Sequence, residues 1–349
     1  MIEIRDSRPS TLPPVALGLF IMATSWYLLR ELTPLLRPLL LAIFLCYVIL
    51  PAYHAVRRQL PGHLSILVLA AGTMLLLYAC VWVVQDNVVA LREELPRLTE
   101  RARSIIKWGR GFINENLQWL APPADQEAHI DEQRVAQLRD SIAPILNVGA
   151  NMLAEAGLVA IYVLFLLLDV ARWPNRLRTA FHKDQGEYAL DLVRKINSSI
   201  VGYFRVQVLA SLMAGIGATL IMYATNTSFP VLWGLLNFFG NFIPYLGSIV
   251  GYSVPVVFGF LDHDGGPEPY IAAALMLVLH LTLAYVVVPF MTGKAVGLSP
   301  LVILISLAFW GLCWGVPGMI LAIPLTVIVK IIFDNIPFTQ PLAVMLGDE

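Results

Sequence analysis

Charge is scarce in this sequence: only 13% of its 349 residues are Asp, Glu, Lys or Arg, where soluble domains carry roughly 25%. With 58% of the residues hydrophobic, the chain cannot coat a soluble globule with polar surface and reads as a membrane protein. The formal net charge of -1 lacks the basic surplus on which nucleic-acid binding depends. Cysteine is nearly missing too. Cys46, Cys80 and Cys313 stand singly in apolar stretches, an odd number at unrelated spacings that makes neither a disulfide framework nor a metal site. There is no glycine-rich phosphate loop followed by Lys-Ser/Thr, and no Gly-x-Ser-x-Gly, His-Glu-x-x-His or Cys-x-x-Cys. Ser198-Ser199 and the scattered histidines have no partners at catalytic spacing, so they read as residues that cap, bend or solubilise helices. The expectation is therefore no enzyme, no catalytic residue, no cofactor and no metal. Residues 1–10 carry charges of both signs with no clear cleavage site after them, so the apolar run that follows reads as a retained span.

What the chain has is apolar length. Hydrophobic stretches fall at 12–29, 35–49, 64–84, 152–168, 206–223, 229–260, 270–288 and 301–333. The first two are parted by Arg30-Glu31-Leu32-Thr33-Pro34, which predicts an antiparallel hairpin. Two of the stretches are longer than the roughly 20 residues that cross a bilayer, and both are interrupted at the centre. The first breaks at Asn241-Phe242-Ile243-Pro244-Tyr245-Leu246-Gly247-Ser248, the second at Gly311-Leu312-Cys313-Trp314-Gly315-Val316-Pro317-Gly318. Glycine and proline at membrane depth free backbone hydrogen-bonding groups, tolerated where that backbone is buried in protein or lines a cavity. Paired interruptions of this kind point to a transport path.

Charge also orients the chain. The segment 170–205 holds seven Lys/Arg against three Asp/Glu, while 85–150 holds eight against ten. The loop 261–268 has no Lys or Arg. An excess of Lys/Arg marks the cytoplasmic side, which places 170–205 and Arg57-Arg58 inside, and 85–150 and 261–268 outside. These sides agree if each broken stretch is a re-entrant hairpin returning to its starting side. One span and one hairpin, 206–223 with 229–260, are then repeated upside down by 270–288 with 301–333, an inverted repeat. The alternative is that each broken stretch is two short, tilted spans. Outside, Leu91, Leu95, Leu98, Ala102, Ile105, Gly109 and Phe112 form a heptad seam, bent near its start by Pro96. Val135, Leu138, Ile142 and Ile145 continue it after Pro122-Pro123. A seam this narrow could pack within the subunit, lie on the membrane surface or join protomers, and its small residues favour helix packing.

Few polar residues lie in apolar surroundings. His280 sits mid-span and is a candidate proton site, or a neutral imidazole bonded to a neighbouring helix. Asn237 and Asn241 lie four apart on one helical face, able to bind a polar solute or to tie the hairpin to its neighbours. Pro244, Tyr245, Gly247 and Ser248 make the first break, where freed amides and carbonyls could coordinate a ligand. Trp310, Gly311, Gly315, Pro317 and Gly318 make the second. Gly293-Lys294 and Ser299-Pro300 form a cytoplasmic turn in which Lys294 is a positive-inside anchor.

These residues resemble the autoinducer-2 exporter family of bacterial membrane proteins. The resemblance is carried by Met291-Thr292-Gly293-Lys294-Ala295-Val296-Gly297-Leu298-Ser299-Pro300, by Ser306-Leu307-Ala308-Phe309-Trp310-Gly311, by 318–326 and by 241–248, in a span order that covers nearly the whole chain. It implies a multi-pass inner-membrane exporter of small solutes with autoinducer-2 as the eponymous cargo, assembled as a homo-oligomer, a pentamer by the family pattern. Some relatives are described as sodium/proton antiporters. The chain departs from the family at Tyr285-Val286-Val287-Val288-Pro289-Phe290, where relatives commonly carry Asn-x-x-Glu-Pro-Arg. An acid that could carry coupling protons is lost, and His280, two turns away, is the residue placed to substitute for it.

The sequence thus predicts an all-α polytopic membrane protein of about seven to eight transmembrane segments. Its regions are N-terminal spans over 1–84, a periplasmic amphipathic region over 85–150, and a span with a cytoplasmic loop over 151–205. A transport core over 206–333 holds the two broken hairpins, and 334–349 is a tail. The expected partners are a small-molecule substrate, the lipid bilayer and further copies of the chain. The leading function is export of a small polar solute. The alternatives are cation/proton exchange, disfavoured by the scarcity of intramembrane acids, and a non-transporting membrane scaffold.

Overall fold

The computed structural model describes residues 14–116, 156–169, 183–292 and 297–347, together with residues 176 and 179. The described chain is helical throughout, with no strand among the described residues. In order it forms α1 (Pro14–Glu31), α2 (Thr33–Arg57), α3 (Gly62–Asn116), α4 (Ala156–Asp169) and α5 (Lys183–Ala224). Then come α6 (Pro230–Gly240), α7 (Leu246–Asp262), α8 (from Glu268), α9 (Pro300–Trp314), α10 (Val316–Asp334) and α11 (Gln340–Leu346). Among the described residues four helical stretches are long and apolar enough to cross a membrane, within α3, α5, α8 and α10. α4, α6, α7 and α9 are shorter apolar helices.

Helix α5 is the axis of the core. Ala210, Ala214, Ala218 and Met222 recur every fourth residue at 0–1% exposure, so one face of α5 is a small-residue stripe against which other backbones close up. The tightest approach is the α5–α6 crossing. A Cβ on Gly215 would stand 2.9 Å from the Gly234 carbonyl, and one on Gly234 would collide with Thr219. Leu91 and Leu98 of α3 join Ala218, Met222, Trp233, Phe258, Ala272 and Met276 in one buried cluster. The heptad seam therefore packs within the subunit over Leu91–Ala102, and Arg101 fastens it by reaching the His263 carbonyl and the Asp264 carboxylate.

One expectation changes. α1 and α2 do not fold back as an antiparallel pair: they meet at a 74° bend. Leu32, the single residue between them, stays right-handed, and its amide still bonds Leu28 O while its carbonyl accepts from Leu36. Pro34 sits at the helix start where no N–H is needed, so nothing reverses the chain. α3 runs unbroken through Pro96 and through residue 84, and α5 through residue 205, so those two boundaries fall inside helices. The continuation of the seam at Val135–Ile145, and Gly293-Lys294, lie outside the described residues.

Candidate functional site

Each broken stretch is a helical hairpin whose two ends meet. In hairpin 1 (α6 and α7), the Ser228 amide and hydroxyl donate to the Asp262 carboxylate at 2.7 and 3.1 Å. His263 closes the same base, with Nδ1 3.0 Å from Gly259 O and Nε2 2.9 Å from Thr225 O. This base lies at the C-terminal end of α5. In hairpin 2 (α9 and α10), Lys330 Nζ donates to Gly297 O at 2.5 Å and the Ser299 amide to Leu346 O at 3.2 Å. Tyr188, near the N-terminal end of α5, donates to Asn335 O at 2.9 Å. The two bases therefore stand at opposite ends of α5. Phe242 at the tip of hairpin 1, and Ile320 and Leu321 beyond the tip of hairpin 2, belong to one buried cluster with Phe44, Ile200 and Phe204. Phe44 meets Phe242 edge-on with ring centroids 5.0 Å apart.

Both hairpins start with proline in the first turn and carry two glycines seven residues apart, of which Gly240 and Gly247 meet each other while Gly318 meets Trp310. A Cβ on Gly247 would collide with the Gly240 carbonyl, and one on Gly318 with the Trp310 carbonyl. Only glycine allows the arms to come this close. At the tips Tyr245 and Gly315 adopt φ values of 61° and 67°, left-handed backbone that turns the chain and that costs a non-glycine residue like Tyr245 strain.

The polar residues predicted for hairpin 1 are drawn into ties. Pro255 has no N–H, so the Gly251 carbonyl four residues earlier loses its helical partner. Asn237, only 1% exposed, donates Nδ2 to that carbonyl at 2.5 Å across the hairpin, and Gly251 leaves room for it. Asn237 Oδ1 has no partner. Asn241 donates Nδ2 to Ser211 Oγ at 3.0 Å, while Gln207 donates to the Asn241 carbonyl at 2.5 Å. Gln207 and Ser211, both on α5, were not singled out from sequence, although two polar residues one turn apart in an apolar run are a legible signal. Pro244 and Ser248 are half-buried at the tip, Gly247 is buried and Tyr245 is exposed. Most tip amides are bonded locally, Ile243 to Gly240 O at 2.8 Å and Gly247 to Ile243 O at 3.0 Å.

In hairpin 2, Trp310 donates Nε1 to Thr326 Oγ1 at 3.3 Å and stacks on Trp314 with centroids 4.9 Å apart. Gly311 faces the Met319 side chain, and Pro317 occupies the first turn of α10, where its missing N–H costs nothing. Ser299 caps α9, its Oγ accepting from the Val302 amide at 3.3 Å, with Pro300 behind it. The tip meets the α1–α2 bend: Thr33 Oγ1 lies 3.2 Å from Cys313 O and 3.2 Å from Leu29 O.

His280 is half-buried in α8, its ring 4.6 Å from that of Tyr252 on α7. Tyr252 Oη is buried without a partner. Just beyond, Glu268–Thr282 passes through a π-helical turn, Leu283–Val287, into Val288–Thr292. Pro289 supplies the reason: it cannot donate to Tyr285 O, and the Val288 amide reaches five residues back to Leu283 O. The apolar replacement segment faces outward, Tyr285 at 75% and Phe290 at 90% exposure. Among the described residues no group of three or more His, Cys, Asp and Glu could hold a metal ion.

Known proteins share this architecture in sequence. The chain is 28% identical over 330 residues to the AI-2 transport protein TqsA of Escherichia coli strain K12, covering 92% of this chain and 91% of that protein. It is 28% identical over 317 residues to the transport protein YhhT of the same strain, covering 88% and 87% of the two chains. A transport protein of Haemophilus influenzae is 23% identical over 318 residues, covering 89% of each. The profile described as AI-2E family transporter matches residues 16–338. Two hairpins anchored at opposite ends of one axial helix, in a chain matched along nearly its whole length, make this protein a member of the AI-2E transporter family.

Proposed function

We propose that the chain is an inner-membrane exporter of a small polar organic solute, with autoinducer-2 the first cargo to test. The observation that carries this reading is the pair of hairpins, whose bases stand at opposite ends of α5 and which both reach one buried cluster through Phe242, Ile320 and Leu321. With the cytoplasmic side set by Lys/Arg excess, hairpin 1 enters from outside and hairpin 2 from inside, two antiparallel halves of one inverted repeat. The path then runs between the tips, bounded by Asn237, Asn241, Pro244, Tyr245, Gly247 and Ser248 on one hairpin. Trp310, Gly311, Gly315, Pro317 and Gly318 bound it on the other. The printed name of TqsA supports autoinducer-2 as cargo. His280, beside Tyr252 and one turn from the π-helical segment, is the coupling residue in this reading. The chain acts as a homo-oligomer, as the family resemblance implies.

The test is efflux from proteoliposomes loaded with labelled autoinducer-2, with and without a proton gradient. Gradient-sensitive efflux by wild type that His280→Ala renders insensitive to pH supports the reading. Efflux with an unchanged pH profile in His280→Ala removes that histidine from coupling. No flux under any gradient, from protein shown to be folded, removes this cargo.

A further inference from the structure

The tip of hairpin 2 gathers hydrogen-bond donors that none of the described residues satisfies. Arg37 lies one turn into α2, and its guanidinium stands against Gly315, whose added Cβ would be 3.5 Å from the Arg37 terminal nitrogen. Its Nε is buried and has no hydrogen-bond partner among the described residues. An arginine does not shed its proton in a protein, so the charge persists there. None of the ion pairs among the described residues includes Arg37. Glu31, the acid nearest in sequence, is exposed at the end of α1.

The neighbours of this cation are donors as well. Trp314, 5% exposed, immediately precedes Gly315, and its Nε1 is buried without a partner. Gly315 is also the N-cap of α10, a helix of 19 residues that begins with no side-chain cap. The positive end of that helix thus sits beside the guanidinium, although Pro317 removes one of its first N–H groups. Arg37 as a whole is half-buried, but leaving its enclosed Nε–H and an enclosed indole N–H without acceptors is costly in each case. Two such costs at one hairpin tip, on residues from two separate parts of the chain, have a common remedy: an acceptor that carries negative charge.

The geometry points to an oxyanion-binding site formed by Arg37, Trp314 and the α10 N-terminus, taking a phosphate or carboxylate borne by a small solute or a phosphodiester lipid headgroup. The donor set matches such a group: a planar guanidinium, an indole N–H and a helix terminus, each able to contact a different oxygen. The Trp310–Trp314 stack gives the site a flat apolar flank, suited to the organic part of the ligand. Thr33, bonded to the Cys313 carbonyl, holds α2 and the hairpin tip at this spacing. This deepens the transport reading by giving one hairpin tip a ligand class, but its readout is binding, so each can fail without the other.

The experiment uses the full chain in nonionic detergent and in phosphatidylcholine nanodiscs, titrated calorimetrically with inorganic phosphate, ribose 5-phosphate and ribose. Phosphate and ribose 5-phosphate are expected to bind saturably and ribose not to bind. Binding should weaken at least tenfold in Arg37→Gln, less in Arg37→Lys, and severalfold in Trp314→Phe, which also keep the test alive should Arg37→Gln fail to fold. The lipid source is separated by adding phosphatidylglycerol to the discs. If it suppresses phosphate binding, and native mass spectrometry finds it retained by wild type but not by Arg37→Gln, the oxyanion site stands and its occupant is a headgroup. Phosphate binding equal in wild type and Arg37→Gln overturns the site. So does the absence of both phosphate binding and Arg37-dependent lipid retention.

Discussion

The two hairpins share a plan and differ in what holds them. Hairpin 1 is bound to the axial helix along its length: its first arm crosses α5 glycine to glycine, and its tip is tied there by Gln207 and Ser211. Its arms are joined by Asn237 at the centre and by Asp262 at the base. Hairpin 2 is held through its second arm, where Ile320 and Leu321 pack with Phe44, Ile200 and Phe204, while its first arm and tip have fewer ties. Its arms close on Gly318 and on the Trp310–Thr326 bond, and its first arm turns Leu301, Leu304, Ile305 and Leu312 outward. The hydrogen bond that ties its tip to the rest of the chain comes from one hydroxyl, Thr33, beside an arginine whose Nε has no partner among the described residues. Segments with few buried contacts open at lower free energy than those anchored in a core. Hairpin 1 is thus built as part of a fixed frame, and the first arm and tip of hairpin 2 as the part expected to move.

The largest effect that would break this comparison comes from the glycine contacts. Gly247→Ala places a methyl group against the Gly240 backbone in a hairpin that α5 prevents from parting. Overpacking typically costs about 1–3 kcal/mol and more where backbone must give, so folded protein should be lost, as read by size-exclusion profile. Gly318→Ala makes the same clash with the Trp310 carbonyl, but the arms of hairpin 2 can separate. It should stay folded with a lower melting temperature. Equal damage from both would show that the hairpins are held alike.

Next is the buried amide. Asn237→Ala leaves the Gly251 carbonyl, orphaned by Pro255, without a donor, at a cost of about 1–3 kcal/mol. Pro255→Ala returns a backbone N–H to that carbonyl. The double variant should therefore melt above Asn237→Ala, a coupling that a thermal double-mutant cycle reads directly. If the two losses simply add, Asn237 does not serve the proline break and its role lies with a solute.

How much of this was visible beforehand follows from the kind of physics involved. Proline and glycine act on local backbone, so both hairpin breaks and their approximate positions were legible at Pro230, Pro244, Pro300, Pro317 and the tip glycines. Asn237 was visible as a buried amide, but its role depended on Pro255, eighteen residues away on the facing arm, and only packing brings them together. Gly240 and Gly247, or Gly311 and Gly318, read equally well as helix breakers or as contact points until the arms are seen side by side. The α1–α2 segment misled because Pro34 reads as a turn, whereas proline in a first helical turn is compatible with a mere bend. The heptad seam was read correctly as a packing face, but its partner, the core of the same chain, is set by tertiary placement. Arg37 passed unnoticed because an arginine near a helix end ordinarily snorkels to the interface.

A smaller effect compares the two bases. Asp262→Ala removes the acceptor for both the amide and the hydroxyl of Ser228 and should cost about 1–2 kcal/mol, the range of a lost helix cap. Lys330→Met removes one bond to the Gly297 carbonyl and should cost no more than about 1 kcal/mol. Melting curves rank the two, and the reverse order would make hairpin 2 the more firmly closed.

The smallest effect on stability is the most telling about motion. Thr33→Val keeps the shape of the side chain and removes only its hydroxyl, which is shared between Cys313 O and Leu29 O. The melting temperature should hardly move, since such a bond contributes about 0.5–1.5 kcal/mol net and this one is divided. Local opening of the tip needs far less than global unfolding, so loss of the same bond should still raise the population of open tip severalfold. Cys313 is buried at that tip and reports it without any added probe. In a background where Cys46 and Cys80 are replaced by serine, a membrane-permeant maleimide should label Cys313 severalfold faster in Thr33→Val than in the parent. A cysteine placed at Phe242, the buried tip of hairpin 1, should label slowly and at a rate indifferent to Thr33. If instead both tips speed up together, the hairpins open as one body and the distinction between frame and moving part is lost.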